Sequence, residues 1–163
     1  MLNRQKVYDL LKKQGVWFEV QEHAAVYNMA EMAQIPVPYP EAEAKNLFVR
    51  DDKKQHFYLI TVKAEKRVDL KQLRRSQQTR QLSLAPPEEL LRVLGLTPGS
   101  VTPASLLDGH AQDVELFLDE ELLKGRGLIG IHPNDNTATV WMKTADLKRL
   151  VEAAGNSVRV VPL

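Results

Sequence analysis

Two hydrophobic rhythms alternate along the chain. From Asn3 to Lys13, Val7, Leu10 and Leu11 recur at helical spacing among charges, and Gly15 stops the pattern. VWFEV, residues 16–20, then reads as a strand. NMAEMAQ, residues 28–34, suits a short helix with Asn28 as its N-cap, after which Pro36, Pro38 and Pro40 force an extended loop. Two apolar runs, NLFVRDD and HFYLITVKA, flank the polar turn at Lys53 and Lys54 and predict a hairpin. DLKQLRRS, residues 69–76, predicts a short basic helix, and APPEELLRVLG a second one that starts at proline and ends at Gly95. DVELFLDEEL, GLIGI and TATVWMK read as three more strands, with HPNDN looping between the last two. Thr144 and Asp146 open a final helix ended by Gly155, and SVRVVPL closes as an edge strand.

The sum is a mixed α/β fold of α+β type, with one central mixed sheet flanked by helices. A chain of 163 residues suits a single domain over 1–163, with no internal repeat, linker or low-complexity segment to divide it. A hydrophobic share of 44% is enough for an ordinary core. The formal charge of +1 confines any nucleic-acid binding to a local patch. The absence of cysteine excludes disulfides, thiolate zinc sites and cysteine nucleophiles. The amino terminus lacks the apolar core of a signal peptide, and no run of about 18 apolar residues marks a membrane span, so a cytoplasmic location is expected.

The stretch EAKNLFVRDDKK, Glu43 to Lys54, places Lys45 and Asn46 at the mouth of a strand whose alternate residues Leu47 and Val49 read as core-facing. An exposed lysine beside a turn-forming asparagine is the plain reading; a point-charge anchor for an anionic group is the functional one. PGSVTP, Pro98 to Pro103, carries hydroxyls at Ser100 and Thr102, and Gly99 permits a ligand to approach bare backbone. An ordinary loop is the competing reading. GIHPNDNTATV puts His132 at a strand end directly before Pro133, where packing and substrate contact both remain open. His23, His56 and His110 show no metal-ligand spacing with it, so neither metal nor cofactor is expected. No GxSxG elbow, Walker loop, GxGxxG turn or HExxH helix occurs.

Together KNLFVRD (45–51), GSVTP (99–103) and GIHPNDNTAT (130–139) resemble the YbaK/prolyl-tRNA-synthetase-associated family of aminoacyl-tRNA editing domains, in order and over essentially the whole chain. The likeness is strongest to freestanding members that deacylate mischarged alanyl-tRNA(Pro). The resemblance implies an editing fold and a trans-acting, metal-independent ester hydrolase that protects translation fidelity. Proline and alanine differ by too little apolar volume for binding alone to exclude alanine, so a second sieve is needed. By the resemblance, Lys45 fixes the phosphate or terminal adenosine of the tRNA. Gly99, Pro103, Gly130 and His132 fall where backbone groups position the carbonyl and a water. The chemistry implied is positioning plus oxyanion stabilisation, with the substrate's own ribose hydroxyl as a helper and no covalent intermediate. His132 stands as catalytic beside Lys45, by orienting the substrate or by accepting a proton.

Asn46, Ser100 and Thr102 join the substrate-binding set, with Met32 and Ile35 as walls of the amino-acid pocket. Arg50, Lys66, Arg67, Lys71, Arg74, Arg75 and Arg80 concentrate positive charge in one third of the chain and suggest an acceptor-stem surface. Within it Arg74 and Arg75 are phosphate candidates, and Arg50 or Arg80 base-edge readers. The expected partner is tRNA(Pro) carrying a wrong amino acid, with transient association to prolyl-tRNA synthetase left open. Deacylation of cysteinyl-, seryl- or threonyl-tRNA on the same fold, or a non-catalytic module that holds tRNA ends, are the alternatives.

Overall fold

Local signals set most of the elements seen in the computed structural model, which describes residues 1–163. Helix α1 (Arg4–Lys13) is capped by Asn3, whose side chain accepts from Lys6 N at 2.9 Å, and it buries Val7 and Leu11 on one face. Strand β1 (Phe18–Glu22) follows, two residues later than the hydrophobic run suggests. The one-turn α2 (Met29–Met32) is capped by Asn28 and leads into the proline loop. Strands β2 (Ala44–Asp51) and β3 (Phe57–Lys63) form the expected antiparallel hairpin, and Lys54 takes a positive φ of 56° in its turn.

Helix α3 (Leu70–Gln77) starts on the carboxylate of Asp69, which accepts from Lys71 N and Gln72 N. A three-residue strand β4 (Leu82–Leu84), too short to leave a periodic trace, then pairs with β2. Helix α4 (Pro87–Leu94) ends at Gly95 in the left-handed conformation. Strand β5 (Val114–Asp119) stops earlier than its apolar run predicts. Asp119 accepts from Glu121 N at 3.1 Å and turns the chain into a short 3-10 helix. Strands β6 (Leu128–Ile131) and β7 (Ala138–Lys143), helix α5 (Thr144–Ala153) and strand β8 (Val158–Val161) complete the chain.

The mixed α/β class is as expected, with helices flanking the strands, but the strands divide into two sheets instead of one. Five form the order β4-β2-β3-β5-β8, with β3, β5 and β8 parallel; three form the antiparallel order β1-β7-β6. Strand β8 does lie at an edge. The division follows from burial. Phe48, Leu59, Leu116 and Leu118 of the larger sheet meet Ile129, Ile131, Val140 and Met142 of the smaller one in a shared core of 23 residues. The opposite face of the larger sheet carries Val49, Tyr58, Ile60 and Phe117 under Leu73 of α3, with Tyr58 and Phe117 stacked at 4.9 Å. Leu47 and Val49 therefore do face a core, the smaller of the two.

Candidate active site

Where the small sheet approaches the start of β2, a cavity of about 190 Å³ opens between four segments remote in sequence. Lys45 and Asn46 come from β2, Gly130 and His132 from the end of β6, Gly99 and Val101 from the loop after α4, and Tyr27, Met29 and Met32 from around α2. Trp141 and Thr139 of β7 form its floor. Six of the sequence-derived residues thus share one cavity: Met32, Lys45, Asn46, Gly99, Gly130 and His132. Ile35, Ser100, Thr102 and Pro103 do not line it.

The two glycines are there because side chains would collide. A Cβ on Gly99, whose φ is +85°, would lie 2.6 Å from the Tyr27 carbonyl oxygen. A Cβ on Gly130 would lie 2.5 Å from Cζ3 of Trp141. Thr102, fully buried, has a structural assignment in place of the predicted substrate contact. Its hydroxyl donates to the His132 carbonyl at 2.6 Å and accepts from Ala104 N at 3.2 Å, capping the short helix that Pro103 begins. Ser100 is held only at the loop surface, where its hydroxyl meets that of Thr97 at 3.2 Å. The GSVTP stretch thus joins two walls of the cavity, packing against Tyr27 at one end and holding His132 at the other.

The HPNDN loop works similarly. Asn136 Nδ2 donates to the Val26 carbonyl at 3.0 Å, and Asn134 Nδ2 donates to the carbonyls of Leu2 and Ala104. Asp135 accepts from the Thr137 backbone N and hydroxyl, bonds that hold its carboxyl below the usual range. Within this frame His132 Nδ1 lies 2.9 Å from the Ala138 carbonyl. A carbonyl only accepts, so Nδ1 carries the proton and Nε2 keeps its lone pair. Burial pushes the His132 pKa below the ordinary imidazole value, which favours this neutral form at pH 7. His23 packs edge-on against it at 6.0 Å and shares a 2.8 Å hydrogen bond with Thr139.

Such a shift ties stability to pH. A histidine whose pKa is lower folded than unfolded takes up protons more readily in the unfolded chain as pH falls, so its contribution, present above about pH 6.5, is lost on acidification. Thermal melts at stepped pH should show the gap between wild type and His132→Asn narrowing from pH 7.5 to pH 5. A constant gap would remove His132 as its source.

Asn46 Oδ1 accepts from the Thr61 hydroxyl at 2.6 Å, which fixes its amide beside the cavity. Lys45 makes no ion pair or side-chain hydrogen bond with the protein. Glu43 is the one carboxylate in the lining, and burial raises its pKa above the usual carboxylate range. Glu43, Val101 and Thr139 lie in or beside the stretches singled out from the sequence, but nothing in them marked these side chains as cavity residues, and Trp141 lies outside those stretches. No three His, Asp or Glu side chains cluster as metal ligands.

The basic stretch separates into committed and free charges. Lys66 is bound to Asp119 at 3.0 Å, to Glu121 at 3.1 Å and to the Leu163 carbonyl at 2.7 Å. Arg50 is half-buried against Glu89 at 2.9 Å. Arg80 is exposed, its fork on Asp52 at 2.5 and 3.1 Å. Arg67, Lys71, Arg74 and Arg75 are exposed on or beside α3 and carry no salt bridge.

The model of the aminoacyl-tRNA editing domain matches residues 23–150, a span that takes in the whole cavity. The chain belongs to that family. Among curated relatives it is 34% identical over 160 residues to the prolyl-tRNA editing protein ProX of Acetoanaerobium sticklandii, covering 98% of this chain and 97% of that one. It is 32% identical over 150 residues to the prolyl-tRNA synthetase associated domain-containing protein 1 of Danio rerio, covering 91% and 81%. The fold of this editing domain also matches a solved candidate trans-editing enzyme for prolyl tRNA synthetase, with a TM-score of 0.68 at 23% identity over 100% of this chain and 99% of that one. A second solved structure, the hypothetical protein APE2540, aligns with a TM-score of 0.70 at 21% identity, covering 96% and 98%. No helix is long and apolar enough to cross a membrane.

Proposed function

We propose that this editing domain hydrolyses the aminoacyl ester of alanyl-tRNA(Pro) in trans. The observation that carries the reading is the convergence of Lys45, Asn46, Gly99, Gly130 and His132 on one cavity, in a chain of the editing family. The name of the ProX relative supports tRNA(Pro) as carrier. Alanine is a small wrong amino acid that a proline site admits, and a cavity of about 190 Å³ shared with a terminal ribose suits a side chain of that size.

In the proposed complex the Lys45 ammonium anchors the phosphate of the terminal nucleotide and so fixes the ester over the cavity. Bare backbone at Gly99 and Gly130 lets the carbonyl approach closely enough for amide donors to stabilise a developing oxyanion. The neutral His132 Nε2 accepts a hydrogen bond from the attacking water or the neighbouring ribose hydroxyl. Water adds to the carbonyl carbon, the ester C–O bond breaks, and alanine and tRNA with a free ribose hydroxyl leave. The reaction needs no metal, a reading supported by the lack of a ligand cluster.

On the tRNA side, Arg74 and Arg75 contact acceptor-stem phosphates. Arg80 is the base-edge reader in preference to Arg50: both are paired with a carboxylate, but the Arg80–Asp52 pair is exposed whereas Arg50 and Glu89 are largely buried. The test is side-by-side deacylation of alanyl-, prolyl- and cysteinyl-tRNA(Pro) and alanyl-tRNA(Ala), with and without EDTA. The expected result is loss of alanine from tRNA(Pro) alone at a rate EDTA leaves unchanged. Preferential release of cysteine would move the specificity, dependence on added zinc would end the metal-free chemistry, and no hydrolysis of any ester would favour a binding module.

A further inference from the structure

We propose that Glu43 forms the subsite for the substrate's α-ammonium group, as the counterpart of Lys45. The inference rests on the editing reading, because it takes an aminoacyl ester as the ligand. Such an ester presents two opposite charges on either side of the reacting carbonyl: an ammonium on the α-carbon and a phosphate on the terminal nucleotide. The cavity lining offers a matching pair. Glu43 is its only carboxylate and Lys45 its only lysine, and the lining contains no arginine.

The two residues stand two positions apart on extended backbone, so their side chains leave the chain on the same side, about 6–7 Å apart. They do not neutralise one another: no salt bridge joins them, and neither has a hydrogen-bonding partner for its charged group. The main chain at Glu43 is fixed on both sides, with its N donating to the Pro40 carbonyl at 3.3 Å and its carbonyl accepting from Ala64 N at 3.0 Å. The backbone that carries the carboxylate is therefore held in place, and no protein group uses the carboxylate's bonding capacity. A half-buried, unpaired carboxylate is unfavourable to fold around, and a ligand ammonium relieves that cost. Burial has raised the pKa of this group, the shift that a counter-charge in the cavity would reverse.

A ligand lacking the ammonium should then lose a charge-assisted hydrogen bond, a penalty of about tenfold or more in affinity. The probes are 3′-alanylamino-3′-deoxyadenosine 5′-phosphate, whose amide cannot be hydrolysed as an ester, and its lactyl counterpart, in which a hydroxyl replaces the ammonium. Calorimetric titration of the wild type should show the alanyl compound binding about tenfold or more tightly than the lactyl compound. Glu43→Gln should bring that ratio close to one, with lactyl affinity unchanged and a melting temperature equal to or above the wild type's, because the substitution removes a desolvated charge. A purely structural role for Glu43 would weaken both compounds alike and leave the ratio intact. Equal affinities in the wild type, a ratio surviving in Glu43→Gln, or binding of neither compound overturns the subsite. The editing reading is judged separately on alanyl-tRNA(Pro): turnover without the ratio removes only the subsite, whereas the ratio without turnover keeps the subsite and removes the hydrolysis.

Discussion

Lys45→Ala is expected to lower kcat/KM for alanyl-tRNA(Pro) by about a hundredfold or more and to leave the melting temperature within about 2 °C of the wild type. The two halves of the prediction have separate origins. Lys45 lines the cavity without a salt bridge or side-chain hydrogen bond, so its removal orphans no partner and falls among substitutions worth about 0.5 kcal/mol or less. In the proposed complex, however, it is the cation that locates the phosphate, and misplacing an ester by about 1 Å costs on the order of a hundredfold in rate. Lys45→Arg should recover only part of the loss, since a planar fork does not reproduce a compact ammonium. Single-turnover deacylation beside thermal melts checks both halves; a mutant that turns over like the wild type would end the anchoring role.

Gly130→Ala should damage fold and site together, destabilising the protein by about 1–3 kcal/mol and reducing deacylation by at least about tenfold. The added methyl would lie 2.5, 2.8 and 3.0 Å from three carbons of the Trp141 ring. The ring has little room to yield. It is 1% exposed, its Nε1 donates to Gln21 at 3.2 Å, and Tyr39 packs edge-on against it at 5.8 Å. Overpacking of this kind costs about 1–3 kcal/mol, and here the displaced side chain is the cavity floor. Denaturant unfolding and deacylation on the same preparations measure the pair of effects. A Gly130→Ala protein of unchanged stability and rate would show that the floor can move freely.

The helices were legible because their signals are local: Asn28 as a cap, a proline at the start of α4 and Gly95 at its end; that Asn3 and Asp69 also act as caps appears only in the structure. The β2–β3 hairpin was legible for the same reason. The motif stretches KNLFVRD, GSVTP and GIHPNDNTAT were visible as sequence, and residues from each of them line the cavity. The roles within them were less legible. Thr102 and Pro103 belong to a recognisable motif, yet the buried Thr102 hydroxyl holds the His132 carbonyl and Pro103 begins a short buried helix. A hydroxyl in a loop carries no mark of which partner will take its single proton.

By itself the sequence determined the order of helices and strands apart from the three-residue β4, the mixed α/β class and the family likeness, because caps, breakers and periodicity act within a few residues. Only the tertiary structure decided that the strands divide into two sheets sharing a core, and that Glu43, Val101, Thr139 and Trp141 join Lys45 and His132 around one cavity. It also decided which cations are free: Lys66 and Arg50 are neutralised by Asp119 and Glu89, carboxylates far along the chain, whereas Arg74 and Arg75 remain unpaired. The physical reason is that burial, ion pairing and desolvation are properties of neighbours in space, and the folded chain brings together neighbours that no window of sequence contains.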